Sequence, residues 1–72
     1  MSANNFLEIR KNIELDNQLL NCYQVFNVDA DECGEYQVGE NYGTLKEAMK
    51  YAERYEQEDE VEYGIRLNSD LL

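Results

Sequence analysis

The stretch DADECGEYQVGE, residues 29 to 40, places oxygen-bearing side chains almost at the spacing of a calcium-binding EF-hand loop. That pattern needs oxygen ligands at loop positions one, three and five, a glycine at six for the sharp turn and a glutamate at twelve that binds through both oxygens. Asp29, Asp31, Gly34 and Glu40 meet four of these requirements, and bulky Tyr36 falls at the eighth position. Cys33 takes the fifth, where its soft sulfur suits calcium poorly. The flanks weigh more heavily. An EF-hand loop joins two helices, whereas the preceding CYQVFNV, residues 22 to 28, is β-branched and aromatic, so Glu40 would stand at the far end of a strand. The stretch reads as the acidic tip of a hairpin that collects cations only weakly, through Asp29, Asp31 and Glu32. A cation-responsive module is therefore the weakest reading of function, and no metal or other cofactor is expected.

Catalytic groups are scarce. The chain has no histidine, so a thiol nucleophile would have to find its base among carboxylates and lysines. Of the two cysteines, Cys22 lies in a strand pattern and Cys33 in a turn. Two such thiols make neither a disulfide framework nor, without further ligands, a tetrahedral zinc site. A paired-carboxylate hydrolase needs one acid desolvated in a cleft, which a single short domain has little room to build. The expectation is a protein that binds and is not an enzyme.

Charge is the stronger signal. Sixteen acidic residues face six basic ones, giving a net charge of −10 over 72 residues. Phosphates of nucleic acid or an anionic membrane would repel such a chain, so the favoured partner is basic protein surface. The acids fall in two clusters: Asp29, Asp31, Glu32, Glu35 and Glu40, then Glu53, Glu56, Glu58, Asp59, Glu60 and Glu62. Scattered acids serve solubility, but consecutive acids at 58 to 60, at a helix C-terminus whose dipole already disfavours them, cost stability and invite a functional explanation. In a strand, Glu60 and Glu62 would present carboxylates about 6 to 7 Å apart on one face. Asp29, Asp31, Glu32, Glu35, Glu56, Glu58, Asp59, Glu60 and Glu62 are the expected partner-binding residues. Lys46, Lys50 and Arg54 form a contrasting basic stripe at i, i+4 and i+8, suited to pairing with Glu47 and Glu53 on the same helix.

These residues need positioning elements. TLKEAMKYAERYEQ, residues 44 to 57, spaces Leu45, Ala48, Met49, Ala52 and Tyr55 or Glu56 on one helical face, with Thr44 as N-cap and Glu47 completing a capping box. VEYGIRL, residues 61 to 67, alternates Val61, Tyr63, Ile65 and Leu67 with polar residues and glycine, as a half-buried strand would. CYQVFNV and EYQVGE, joined by DADECG, read as an antiparallel hairpin. FLEIRKNIELDNQLL is compatible with a short helix or an edge strand. Among the six tyrosines, Tyr23 and Tyr63 are expected in the core and the others at an interface.

The fold expected is one α+β domain over residues 1 to 72: a small antiparallel sheet of three to four strands with a ββαβ core and the long helix on one face. A chain this short buries only about 60 to 65% of its unfolded surface, so the core must be thin. No apolar run suits a signal peptide or membrane span, and a cytoplasmic protein is expected. In size, acidity and lack of histidine the chain is similar to phage-encoded inhibitors of host defence, including anti-CRISPR and anti-restriction proteins. The likeness is one of composition and implies a nucleic-acid-mimicking binder of a basic, nucleic-acid-binding partner in the host cytoplasm, without assigning residues. The alternative is a homo-oligomeric structural or assembly protein, with the exposed tyrosines and aliphatic N-terminus at its interface.

Calcium at micromolar concentration should leave the amide spectrum of residues 29 to 40 unchanged, with only weak millimolar shifts at Asp29, Asp31 and Glu32. Saturation in the micromolar range would establish a converged ligand set.

Overall fold

Three segments with period-two alternation form the long strands of one sheet, and the segment with period-3.6 spacing lies across them. The computed structural model describes residues 4–31, 34–59 and 61–68. In chain order the elements are β1 (Asn5–Lys11), α1 (Ile13–Asn17), β2 (Tyr23–Asp29), β3 (Glu35–Tyr42), α2 (Leu45–Glu58) and β4 (Ile65–Leu67). The sheet order is β3-β2-β1-β4. The chain is α+β, with α2 the main helix, packed on one sheet face.

Alternation assigns the two sheet faces. Leu7 and Ile9 of β1, Val25 of β2 and Val38 of β3 point toward α2 and are buried beneath it, against Ala48 and Ala52. The two alanines are fully buried, so the helix backbone approaches the sheet closely. Leu45, Met49 and Tyr55 flank this contact, as their spacing requires. Leu7, Ile9 and Val25 are the largest fully buried side chains, each contributing about 2 kcal/mol through removal from water. Thr44 caps α2: its Oγ1 accepts from the Glu47 N–H at 3.2 Å, and its hydroxyl donates to the Glu47 carboxylate at 3.3 Å.

The opposite face carries Phe6, Glu8 and Arg10 of β1, Gln24, Phe26 and Val28 of β2, and Arg66 of β4. The main helix α2 packs on the other face, and here arginines lie over the aromatic rings. Arg10 lies 4.2 Å from the Phe26 ring centre and Arg66 the same distance from that of Phe6. Arg10 also pairs with Glu8 and Glu35. Burial alone would lower its pKa, but these two carboxylates outweigh that effect and raise it.

Four expectations change. The N-terminal segment holds both a strand and a short helix, and β1 lies inside the sheet between β2 and β4 instead of at its edge. β4 pairs in parallel with β1, so the sheet is mixed, not wholly antiparallel. The C-terminal strand spans only Ile65–Leu67. Residues 61–64 approach it as a loop ending in Gly64 at φ +77°, a left-handed backbone that breaks the alternation. Tyr63 consequently stands 52% exposed and outside the core, whereas Tyr23 packs against it. Cys22 is a buried free thiol at the end of β2 away from the hairpin tip; Cys33 lies outside the described residues.

Ala48→Glu places a carboxylate between α2 and the sheet and should unfold the domain, because an unpaired buried charge costs several kcal/mol. Glu47→Ala, on the exposed side, should cost less than about 1 kcal/mol. Thermal melts compare them, and equal midpoints would contradict this helix face.

Candidate functional site

The path of the chain decides where the acids gather. β3 leaves the hairpin tip and α2 returns alongside it, so the helix C-terminus comes back to the end of the sheet where β2 finishes and β3 begins. Hydrogen bonds fasten this end. The Ala30 N–H donates to Asn4 O (2.8 Å), and the Tyr63 N–H to Asn5 O (2.9 Å). The Glu62 N–H donates to Asn5 Oδ1 (3.3 Å). Asn5 itself stands opposite Asp29 in the β1–β2 ladder.

Asn27 lies at the centre. It is 8% exposed, a polar side chain on the face that otherwise holds the core. Its Oδ1 accepts from Asn5 Nδ2 at 2.9 Å, and its Nδ2 donates to the Tyr36 and Tyr55 hydroxyls, each at 3.1 Å. One amide thus ties β1, β2, β3 and α2. A hydrogen bond with Tyr55, slight burial and the nearby Asp59 carboxylate raise the pKa of the Tyr36 phenol, while Asn27 acts the other way. Burial, helped by Tyr42, Tyr55 and the Asp59 and Glu58 carboxylates, raises that of Tyr51.

Around this network the structure brings together acids from both clusters. Asp29 and Asp31 close the strand end, with the Asp31 N–H donating to Asp29 Oδ1 at 2.9 Å. Glu56 and Glu58 occupy the last turn of α2, Asp59 is its C-cap and Glu62 follows in the loop. Asp31, Glu56, Glu58, Asp59 and Glu62 are all exposed. Glu32 and Glu60 lie outside the described residues.

Two members of the expected set behave differently. Glu35 turns to the open sheet face and pairs with Arg10, so its charge is largely met within the molecule. Glu62 precedes β4, so the strand that would have set its carboxylate beside that of Glu60 does not extend to it. The basic stripe also pairs otherwise than expected: Arg54 meets Glu58 at 3.8 Å, with both side chains exposed, and this pair is not with Glu47 or Glu53. Exposed i, i+4 pairs of this kind contribute only about 0.3 to 0.5 kcal/mol. Residues 29–40 run from the last residue of β2 into β3, its antiparallel partner, which is hairpin geometry and not that of an EF-hand.

Sequence reasoning missed Asn27 and the tyrosine seam beside it. The ring centres of Tyr42 and Tyr51 lie 5.6 Å apart and those of Tyr51 and Tyr55 6.2 Å. Gly39, at φ +72°, lies beneath the Tyr51 ring so closely that an added Cβ would come within 2.5 Å of it. The signals were present: Tyr51 and Tyr55 are four apart on a helix, and Asn27 falls in phase with Tyr23 and Val25. No protein-family model, curated protein or solved structure matches the chain.

Asn27→Ala removes the partner of three polar side chains and should cost about 2 kcal/mol in urea unfolding. Gln37→Ala, an exposed amide on the other face, should cost less than about 0.5 kcal/mol. A similar small loss for both would show that the Asn27 network does not hold this end together.

Proposed function

We propose that the domain acts by binding, not catalysis, and that its acidic end occupies a basic surface of a larger protein, of the kind that otherwise holds nucleic-acid phosphates. The observation that carries this reading is the convergence of Asp29 and Asp31 with Glu56, Glu58, Asp59 and Glu62 at one end of the fold, from segments some 30 residues apart in the chain. Repulsion among carboxylates held by separate elements opposes folding, and a basic partner would relieve it. The likeness in size and composition to phage-encoded inhibitors of host defence gives the reading its specific form: a cytoplasmic inhibitor that competes with nucleic acid for its target. Glu32 and Glu60, expected among the partner-binding acids from the sequence, lie outside the described residues.

A second reading, self-association, has its own observation. Ile13, Leu19 and Leu20, around α1, are 54%, 94% and 54% exposed. Leu19 holds φ 61°, a left-handed conformation usually given to glycine, at the position after the α1 cap. Sedimentation at low micromolar concentration separates the two: a monomer supports the first reading and a dimer the second.

Neutralising Glu58, Asp59, Glu60 and Glu62 to Gln or Asn should raise the melting temperature at low salt, with the gain shrinking as salt screens the repulsion. In competition with an oligonucleotide for basic nucleic-acid-binding proteins, this variant should lose affinity while Lys46, Lys50 and Arg54→Gln keeps or gains it. Wild-type affinity should fall steeply with added salt. Loss of binding by the helix-stripe variant alone would reduce the acids to a solubility role.

A further inference from the structure

The two edges of the sheet are unlike. One is β4, three residues long, and shortness is a common way of blunting an edge against pairing with other chains. The other is β3, eight residues long, which among the described residues pairs with β2 on one side only. β3 contains no lysine and no proline, the residues that usually protect such an edge; its charged residues are Glu35 and Glu40.

Which backbone groups face outward follows from the ladder. Asp29 N–H donates to Gly34 O at 2.7 Å, and hydrogen-bonded pairs alternate along an antiparallel ladder. Tyr36 and Val38, opposite Asn27 and Val25, therefore bond inward to β2, and Glu35 and Gln37 turn their N–H and C=O groups to the open edge. This regular stretch ends where two steps on β2, from Val25 to Tyr23, match four on β3, from Val38 to Tyr42.

Beside the edge runs a groove of about 940 Å³ between β3 and the flank of α2, lined by Tyr42 and Tyr51, by Glu47, Glu53 and Glu58, and by Lys50 and Arg54, the last of these paired with Glu58, so that acids exceed bases there by one. Elsewhere in the molecule cations cover aromatic rings: Arg10 over Phe26, Arg66 over Phe6 and Lys11 over Tyr23. Tyrosine faces with carboxylates at their margin offer the same attraction to lysine or arginine.

We infer that an extended, basic peptide segment of the partner adds to β3 as a fifth strand, hydrogen-bonded to Glu35 and Gln37, with its cationic side chains reaching the tyrosine-lined groove. Main-chain bonds at a free edge supply affinity, and alternate side chains meeting a groove supply specificity. Charge selects this occupant over a second copy of the chain, which would bring its own Glu35, Glu40 and net charge of −10 to the same edge. The inference rests on the proposed preference for a basic partner and adds where and in what conformation that partner is held.

The test uses the full chain and a peptide of about eight alternating lysine and valine residues, the length of a typical strand, with a glutamate-for-lysine counterpart as control. Saturation with the lysine peptide should slow hydrogen exchange at the Glu35 and Gln37 amides by tenfold or more, and the glutamate peptide should not. Gln37→Pro removes an outward N–H at an edge position where proline is tolerated, and should weaken the lysine peptide about tenfold with the β2–β3 ladder intact. If that variant does not fold, exchange in the unaltered protein decides alone. Binding that shifts residues 56 to 62 but leaves Glu35 and Gln37 exchanging freely would overturn the edge site while sparing the acidic-end reading. Absence of binding by the lysine peptide would overturn both. Protection of the two amides without peptide, in a sedimenting dimer, would show that a second copy takes the edge.

Discussion

The acidic end of the molecule depends on one buried amide. Asn27 takes an inward position on β2, where the strand alternation would otherwise put another apolar side chain, and its burial is tolerable only because its oxygen and nitrogen find Asn5, Tyr36 and Tyr55. Those partners belong to the three neighbouring elements, so the bonds form together only in one register. A one-residue slip of β2 would turn Asn27 to the open face and drive Phe26 and Val28 against α2, where Ala48 and Ala52 leave room for small packing distances only. In a core with few large side chains, that geometric demand specifies register where apolar volume alone would specify it weakly. Asn5 then passes the constraint onward by accepting the Glu62 N–H, which fixes the loop leading to β4.

Elements whose evidence is local were legible in the sequence. The face of α2, its Thr44 cap and the β2–β3 hairpin rest on periodicity and turn chemistry within a few residues, and these are found where expected. β1 was ambiguous because Phe6, Ile9 and Ile13 have helical spacing while Ile13 in fact begins a separate five-residue helix. Its interior place in the sheet depends on pairing with β4, more than 50 residues away, which leaves no local trace. Alternation in VEYGIRL misled at Val61 and Tyr63 because a loop can alternate by chance, and only the left-handed Gly64 marks the break.

The candidate site divides along the same line. Which residues are acidic needs no structure, but that Asp29 and Asp31 share an end with Glu56 to Glu62 follows from α2 running back beside β3. Glu35 was assigned to this surface because its partner, Arg10, lies 25 residues upstream and reaches it across Phe26. Asn27 escaped notice because an in-phase asparagine in a strand is unremarkable until its partners are known.

The distribution of the six cations explains why the acidic end keeps its charge. Arg10 covers Phe26 and meets Glu8 and Glu35; Lys11 meets Asp16 and lies over Tyr23; Arg66 covers Phe6. Arg10 and Arg66 are held by aromatic rings on the face opposite α2, and Lys11 by Asp16 of α1 and the Tyr23 ring. Lys46 and Lys50 stand on the exposed side of α2, in its first two turns, about 12 to 18 Å of helix rise from Glu58 for a rise of 1.5 Å per residue. At physiological ionic strength the screening length is about 8 Å, so neither cation does much for the far end of the helix. Arg54 reaches an acid there, through its pair with Glu58. Moving a cation from the open face to that end would uncover a phenylalanine, and so the covered aromatic rings of the sheet and the excess of carboxylates at its end share one small allotment of positive charge, six cations against sixteen acids.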